Sequence, residues 1–523
     1  MSDLLRMTGM YSGMDTESIV SQLVQVKSQK VTKLKNEQTK LEWKQEAWQE
    51  MNKKLYSLYS STLSDLRFSS AYKKKSTVSS DTTKATVVAS ESAVNGTQTL
   101  KIKHLAKSGY LTGAELKQKE VAETKDGVTK TKKVDWTTDD KLADIDSSMV
   151  GKKITISVGT GDEKKETSIE ITEEMKISDF VGKLKEAGVN ASFDTTNQRF
   201  FISSTSTGLK NEFSLSSDNL DSGDSVLKAL GIDANATYAD GAKCTRIAAQ
   251  DAVIELNGAE FKSDTNTFSI NGLTINAVGE TEEEISIVTS TDYDGIYDTI
   301  KDFITEYNEI INEVNKKYNA DSARKYDVLS DEEKEAMTDE QIENWEGKIK
   351  DSLLRKDNDL YAIMNALKSS MSEGVEVNGK TMYLFDFGVE TLSYFEAEED
   401  ERNAYHILGD KEDDKVSGKD DKLKKAIASD PDTVAEFFSG LCKKMYTKLD
   451  DIMEMTDYRS IYKVYDDKRL KKEYDDYTKK IKEAEDKLND YEDKWYDKFA
   501  AMEVALSKLQ SNSNAVTSML GGM

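Results

Sequence analysis

The sequence predicts an α+β multidomain protein. Terminal coiled-coil helices and a helical leg carry two nested β-rich head domains. Three observations predict this class. Both ends of the chain carry apolar residues at heptad spacing. The middle carries short alternating runs punctuated by Asn-Gly pairs. A single proline in 523 residues leaves long helices free of the residue that most strongly breaks them.

The stretch from about residue 470 to 520 has the clearest period. Tyr474, Ile481, Leu488, Trp495, Met502, Leu509 and Val516 recur every seven residues. A second line runs through Tyr477, Ala484, Tyr491, Lys498, Ala505, Asn512 and Met519, interrupted by Lys498 and Asn512. A seam of this period keeps one stripe against a partner helix, as a coiled coil requires. No Gly or Pro intervenes before Gly521. Residues 16–66 have the same character. Leu34, Leu41, Trp48 and Leu55 hold one heptad phase, with Met51 and Leu58 three residues after the last two. Ile19, Leu23 and Val26 form an apolar stripe ahead of them, while Lys27, Lys30 and Lys44 fall on the seam and weaken it. The two ends are expected to meet as one stalk. The alternative is two unrelated surface helices on a globular core.

Between the ends the pattern changes. Residues 69–83, rich in Ser, Thr and Lys, read as a linker. Residues 85–89 and 99–103 read as strands with Asn95-Gly96 as a turn signal between them. Residues 117–133 are charged and read as weakly structured. Strands follow at 154–158 and 167–171, around Gly159-Thr160-Gly161. Ile177, Phe180, Val181 and Leu184 share one face of a short helix that Gly188 ends. A hairpin spans 190–194 and 199–203, and 213–215 adds a strand. Alternation returns at 252–256, 273–277 and 284–288, with turns at Asn257-Gly258 and Asn271-Gly272.

From Gly295 onward Ile296, Ile300, Phe303, Ile304, Tyr307, Ile310, Ile311 and Val314 give a broad helical face. Ser330 is a candidate N-cap before Asp331-Glu332-Glu333, within a polar region at 326–347. Further helices are expected at 353–371, 420–428 and 431–438, with a hairpin around Asn378-Gly379. The resulting division is fourfold. Residues 1–45 and 490–523 are terminal helices, flexible in the monomer. Residues 46–75 and 291–489 form a helical leg. Residues 76–134 and 244–290 form a discontinuous β-rich head domain, and 135–243 an α+β domain inserted in it.

Charge and composition exclude several function classes. There are 97 acidic and 72 basic residues, a net charge of −25. Such a chain repels nucleic acid and anionic lipid, so neither is an expected partner. No apolar run approaches the roughly 18 residues a membrane span needs, and no membrane insertion is expected. The first ten residues lack the apolar core of a secretory signal. Cys244 and Cys442 have neither metal-ligand spacing nor a disulfide framework.

The only two histidines, His104 and His406, lie far from either cysteine. No catalytic constellation, metal site or cofactor is therefore expected, and the chain reads as non-enzymatic. Acidic clusters at 396–401 and 410–414 lack the ordered spacing of a calcium loop and read as solvated faces. Asn190-Ala191-Ser192 and Asn235-Ala236-Thr237 match the glycosylation sequon by chance. Tyr474, Tyr477, Tyr491, Trp495 and Phe499 are at helical spacing and read as packing rather than as a ligand platform.

Several stretches, taken in order, resemble one family. They are Gly13-Met14-Asp15-Thr16-Glu17-Ser18-Ile19-Val20-Ser21-Gln22-Leu23 and Leu63-Ser64-Asp65-Leu66-Arg67-Phe68, then Asn95-Gly96-Thr97 with Leu105-Ala106. Ala187-Gly188-Val189-Asn190-Ala191-Ser192-Phe193 and Arg199-Phe200-Phe201-Ile202-Ser203-Ser204 follow. Gln250-Asp251-Ala252, Asn257-Gly258, Asn266-Thr267, Asn271-Gly272-Leu273-Thr274 and Phe303, Tyr307 and Asn308 complete the series. In that order they resemble the flagellar filament-cap family, also called hook-associated protein 2.

The resemblance implies a non-enzymatic cap at the distal end of the filament. It implies a homo-oligomeric ring of unstated size that promotes flagellin polymerisation and prevents subunit leakage. It implies flagellin, other hook-associated proteins and a cytosolic flagellar export chaperone as partners. It implies export through the flagellar apparatus without a cleaved signal peptide. The alternative reading is an extracellular adhesin, a β head on a helical stalk.

Overall fold

A helix of 42 residues, Thr16–Ser57, opens the structure, with the Asp15 carboxylate accepting from the Ser18 amide at its N-cap. The protein is described by a computed structural model over residues 12–125, 128–233, 235–236, 243–399 and 401–520. Gly521, Thr237 of the second sequon and the first eleven residues lie outside that range, and with them the start of the expected 1–45 terminal segment. The chain divides into two units, residues 1–73 with 293–523, and residues 74–292.

The first unit is helical. Thr16–Ser57 runs into a π-helical turn, Leu58–Leu63, and one more α turn, Ser64–Leu66. The π turn admits an extra residue and rotates the following side chains, so Leu63 and Leu66 stay on the buried face. Tyr293–Asn319 buries all eight apolar residues named above for its face. Pro431–Met453 is a 23-residue helix, much longer than the 431–438 expected. Phe437, Phe438, Leu441, Cys442, Met445 and Leu449 continue its buried stripe past that limit. Together with Met51, Leu55, Phe303, Tyr307 and Leu367 they form one core.

The polar region at 326–347 is not irregular. Asp331–Glu335 and Asp339–Ser352 are helices, each opened by a capping box, Ser330 with Glu333 and Thr338 with Gln341. The helix expected from 353 starts at Asn358, because Asp357 caps it through the amides of Asp359 and Leu360.

The second unit holds two apolar cores. The first lies between a five-stranded sheet and a three-stranded one. The five-stranded sheet runs in the order Lys75–Ser79, Ile285–Thr291, Gly96–His104, Ala252–Leu256, Ala259–Ser263. The smaller sheet orders Thr267–Ile270, Leu273–Ala277 and Ala85–Ala89. Leu100, Ile102, Ile254, Phe268, Leu273, Ile275 and Ile287 fill the space between them. The Asn-Gly signals at 257–258 and 271–272 make two-residue hairpin turns. Both residues of each pair have positive φ (50° and 80°, 45° and 80°), the combination such a turn needs.

The second core packs helix Ile177–Glu186 and two further sheets around Phe180, Phe200, Phe213, Ile154, Ile156 and Leu184. One sheet orders Thr245–Ile247, Tyr110–Thr112, Arg199–Ser204 and Val189–Asp194. The other orders Phe213–Ser217, Lys153–Val158 and Lys165–Glu170. The adjacent strands Thr245–Ile247 and Tyr110–Thr112 of this sheet lie outside residues 135–243.

Three expectations need correction here. The linker at 69–83 contains strand Lys75–Ser79, paired residue for residue with Ile287–Thr291. The strands either side of Asn95-Gly96 do not pair with each other, because each joins a different sheet. The charged stretch at 117–133 is an antiparallel hairpin, Lys119–Lys125 with Val128–Val134. Its register sets Glu120 opposite Lys133 and Glu123 opposite Lys130, cross-strand pairs of opposite charge that favour the ladder.

Candidate functional site: the paired terminal helices

The long final helix is Asp467–Leu520, 54 residues. It packs along Thr16–Ser57, and the contacts fix the direction. Trp48 stacks on Tyr465 with centroids 5.2 Å apart and planes 7° apart. The Gln38 side-chain amide donates to the Thr478 hydroxyl at 2.7 Å. Lys35 pairs with Glu485 at 2.6 Å. The Lys27 ammonium lies 5.7 Å from the centre of the Tyr491 ring, and the Ser12 amide donates to Glu503 at 3.2 Å. Numbers fall in one helix as they rise in the other, so the pair is antiparallel.

Burial grades along this pair. At its base Leu41, Trp48 and Leu55 are buried within the leg core, beside Met51 and Leu58. The buried Asn52 side chain accepts from the Val464 amide at 2.9 Å, which satisfies a backbone donor just ahead of the final helix. Lys44 is half-buried and ion-paired with Asp357 at 2.8 Å. Leu34 is half-buried and Ile481 buried. Leu488, Trp495 and Met502 are half-buried. Leu509 and Val516 are 65% and 55% exposed, and all of residues 508–518 are exposed. A groove of about 360 Å³ remains between Val31 and Leu34 on one side and Ala484 and Leu488 on the other. The stalk is therefore closely packed at its base and loosely packed along its length.

The structure revises the secondary lines of the seam. On the first helix the buried positions ahead of Leu34 are Thr16, Val20 and Val31, whereas Ile19 and Val26 are exposed. Only Lys27 shares the phase of Val20, Leu34 and Leu41, and it is accommodated over an aromatic ring. On the final helix the second line shifts by one residue at Lys498. Phe499 turns inward instead, and Tyr491, Trp495 and Phe499 form a ring ladder with centroids 6.2 and 6.0 Å apart. The shift follows from helix geometry. At 3.6 residues per turn a straight helix drifts against a strict seven-residue repeat.

The other candidates for chemistry are structural. Lys301 engages Asp410 at 2.8 Å, and His406 Nδ1 lies 2.6 Å from Asp413. The acidic loop near residue 410 is thus tied to Tyr293–Asn319 and to the strand Tyr405–Ile407. Among the described residues no group of His, Cys, Asp and Glu could hold a metal ion. Burial pushes the Cys442 thiol up to about 12, with the Tyr72 hydroxyl beside it. Among the described residues no helix is long and apolar enough to cross a membrane.

The fold and the paired termini define a class: an α+β chain whose two ends meet in one antiparallel helical stalk. The C-terminal family of flagellar hook-associated protein 2 matches residues 249–511, and its N-terminal family matches residues 12–109. The chain belongs to the flagellar hook-associated protein 2 family. It is 25% identical over 457 residues to "Flagellar hook-associated protein 2" of Halalkalibacterium halodurans, covering 85% of this chain and 81% of that one. The protein of the same name from Thermotoga maritima is 28% identical over 68% of this chain and 54% of its own length. The flagellar cap protein FliD D1-D2-D3 domains from Escherichia coli superpose with a TM-score of 0.49 at 19% identity, over 77% of this chain and 97% of that one.

Proposed function

We infer that this chain is a non-enzymatic cap at the distal end of the flagellar filament, where an oligomeric ring of copies promotes flagellin polymerisation and retains subunits. Family membership supports the reading, and one observation of this molecule carries it. The final helix runs on past Ser12, its last described partner, and leaves Leu509 and Val516 exposed on the heptad phase of Ile481 and Leu488. An apolar stripe held out on a loosely packed stalk is suited to burial in another assembly, because each exposed Leu or Val gains roughly 1.5 kcal/mol or more when covered.

In this reading Leu34, Leu41, Trp48, Leu55, Ile481, Leu488, Trp495, Met502, Leu509 and Val516 are the assembly seam. Residues 1–45 and 490–523 enter the filament. Residues 46–75 with 291–489 form the leg, and 76–134 with 244–290, carrying 135–243, form the head. Flagellin, other hook-associated proteins and a cytosolic export chaperone are the proposed partners. The chain reaches the tip through the flagellar export apparatus. A stalk of two helices with little packing along its length is marginal alone and orders on assembly.

The test is growth of filaments in a strain whose own copy is replaced by the Leu509→Asp/Val516→Asp variant. Both positions are exposed, so the variant folds. Short or absent filaments with flagellin shed into the medium are expected. Filaments of normal length and number would overturn the role of this helix end.

A further inference from the structure

In the leg, a cleft of about 650 Å³ opens between the helices Tyr293–Asn319 and Asn358–Ser372 and the strand Tyr405–Ile407. Its volume lies in the range of small-molecule sites. Two cationic side chains, Lys368 and Arg402, line it, with Tyr307, Ser369 and Asn403. None of the described residues lining it is acidic, in a chain with 97 acidic residues against 72 basic. A described lining with two cations and no carboxylate is a local exception on so acidic a protein, and it favours an anion within the cleft.

Two of the residues lining this cleft carry a buried polar atom without a hydrogen-bond partner, the Tyr307 hydroxyl and the Arg402 Nε. The Tyr307 side chain is fully buried. Desolvation, then the neighbouring Tyr405, hold its hydroxyl protonated, well above the ordinary tyrosine range. It is therefore a donor. The Arg402 guanidinium lies against the Tyr394 ring, 4.2 Å from its centre, and its distance to Glu399 is 3.9 Å, too long for a hydrogen bond. Buried donors are rarely left unpaired, because each costs about 1–3 kcal/mol.

One wall of the cleft is also held in place. Asn308 clamps the backbone of Tyr405 in both directions, accepting from its amide at 2.8 Å and donating to its carbonyl at 2.7 Å. Two cations in the described lining, together with unpaired donors on Tyr307 and Arg402, are complementary to a planar anion that accepts from several donors at once.

We propose that this cleft binds a small organic carboxylate, with Arg402 and Lys368 supplying the charge and the Tyr307 hydroxyl a buried donor. The experiment is calorimetric titration of the full chain with succinate, and with inorganic phosphate as the competing anion. Wild type, Tyr307→Phe, Arg402→Gln and Lys368→Gln are compared, together with their melting temperatures. Lys368 is exposed on its helix, so that variant keeps the fold.

Saturable succinate binding is expected. It should weaken about tenfold in Arg402→Gln and in Lys368→Gln, and about fivefold in Tyr307→Phe. The melting temperature of Tyr307→Phe should hold or rise, since it removes a buried donor that has no partner in the free protein. No saturation below about 10 mM would overturn the proposal, that being a free energy too small for a built site. So would succinate binding that ignores all three substitutions. A Tyr307→Phe variant that melts lower yet binds unchanged would assign the hydroxyl to stability alone. Phosphate binding tighter than succinate would overturn the carboxylate class.

Discussion

Replacing both Leu488 and Trp495 by Asp places two charges on the stalk seam, at residues that belong to neither apolar core of residues 74–292. Both side chains are half-buried against the first helix. Full burial of a Leu or larger side chain is worth about 1.5–3 kcal/mol, so half-burial of the two together contributes roughly 2–3 kcal/mol. Lys27, Lys30 and Lys487 line the adjoining groove and soften the new charges, so the sum is not raised for repulsion. Since 1.4 kcal/mol is a factor of ten, amide hydrogen-exchange protection across residues 20–38 and 481–502 should fall about 30- to 100-fold.

Residues 437–445 supply the internal control. Phe437, Phe438, Leu441 and Met445 are fully buried in the leg core, which includes neither Leu488 nor Trp495. Their protection should not change, nor should that of Ile154 and Ile156 in the second unit. The variant should also fail to support filament growth while its β sheets stay folded. A loss below threefold along the stalk would refute the grading of burial drawn here. An equal loss at 437–445 would refute the separation of stalk from leg.

Three further outcomes are expected. Trp48→Ala removes a fully buried ring and its stack on Tyr465, and should lower the stability of the leg by about 3–5 kcal/mol in denaturant titration. Gly208→Ala should destabilise the second unit by about 1–3 kcal/mol, read as a lower urea midpoint for its β signal. Gly208 has φ +92°, and an added Cβ would meet Asp264 at 2.5 Å. Cys442 should resist alkylation in the folded protein, whereas Cys244 reacts faster because it is only part-buried. The Cys442 thiol sits near 12 when folded against an ordinary 9.0, so it holds its proton longer in the folded chain than in the unfolded one. Its contribution is intact below pH 9 and is lost above it by about 1.4 kcal/mol per pH unit, which a Cys442→Ala comparison of stability against pH measures.

Legibility in the sequence tracked how local the cause was. The Asn-Gly turns at 257–258 and 271–272, the Ser330 cap and the face of Ile296 to Val314 each depend on a few adjacent residues, and each stands where expected. Elements stabilised by distant partners were hidden. Strand Lys75–Ser79 exists because Ile285–Thr291 lies two hundred residues away to pair with it. The hairpin at 119–134 reads as charged coil until its register sets opposite charges across the ladder; Asp126-Gly127 was the available signal. The short helices at 331–335 and 339–352 carried readable capping boxes within an otherwise polar stretch.

For the stalk, heptad spacing by itself indicated the two long helices now seen at Thr16–Ser57 and Asp467–Leu520, with Leu41, Trp48, Leu55 and Ile481 on one apolar stripe, because period follows from backbone geometry alone. It did not determine direction. An apolar stripe has no polarity, and the antiparallel sense appears only in contacts such as Gln38 with Thr478 and Lys27 with Tyr491. Nor did it separate Lys498 from Phe499, or the Val20 line from the Ile19 line. A one-residue shift of phase costs nothing along the chain and is settled only by the shape of the surface the helix meets. The cleft around Tyr307 lay further still from view. Its residues are spread from 307 to 405, and only packing brings Tyr307, Lys368 and Arg402 to one cleft.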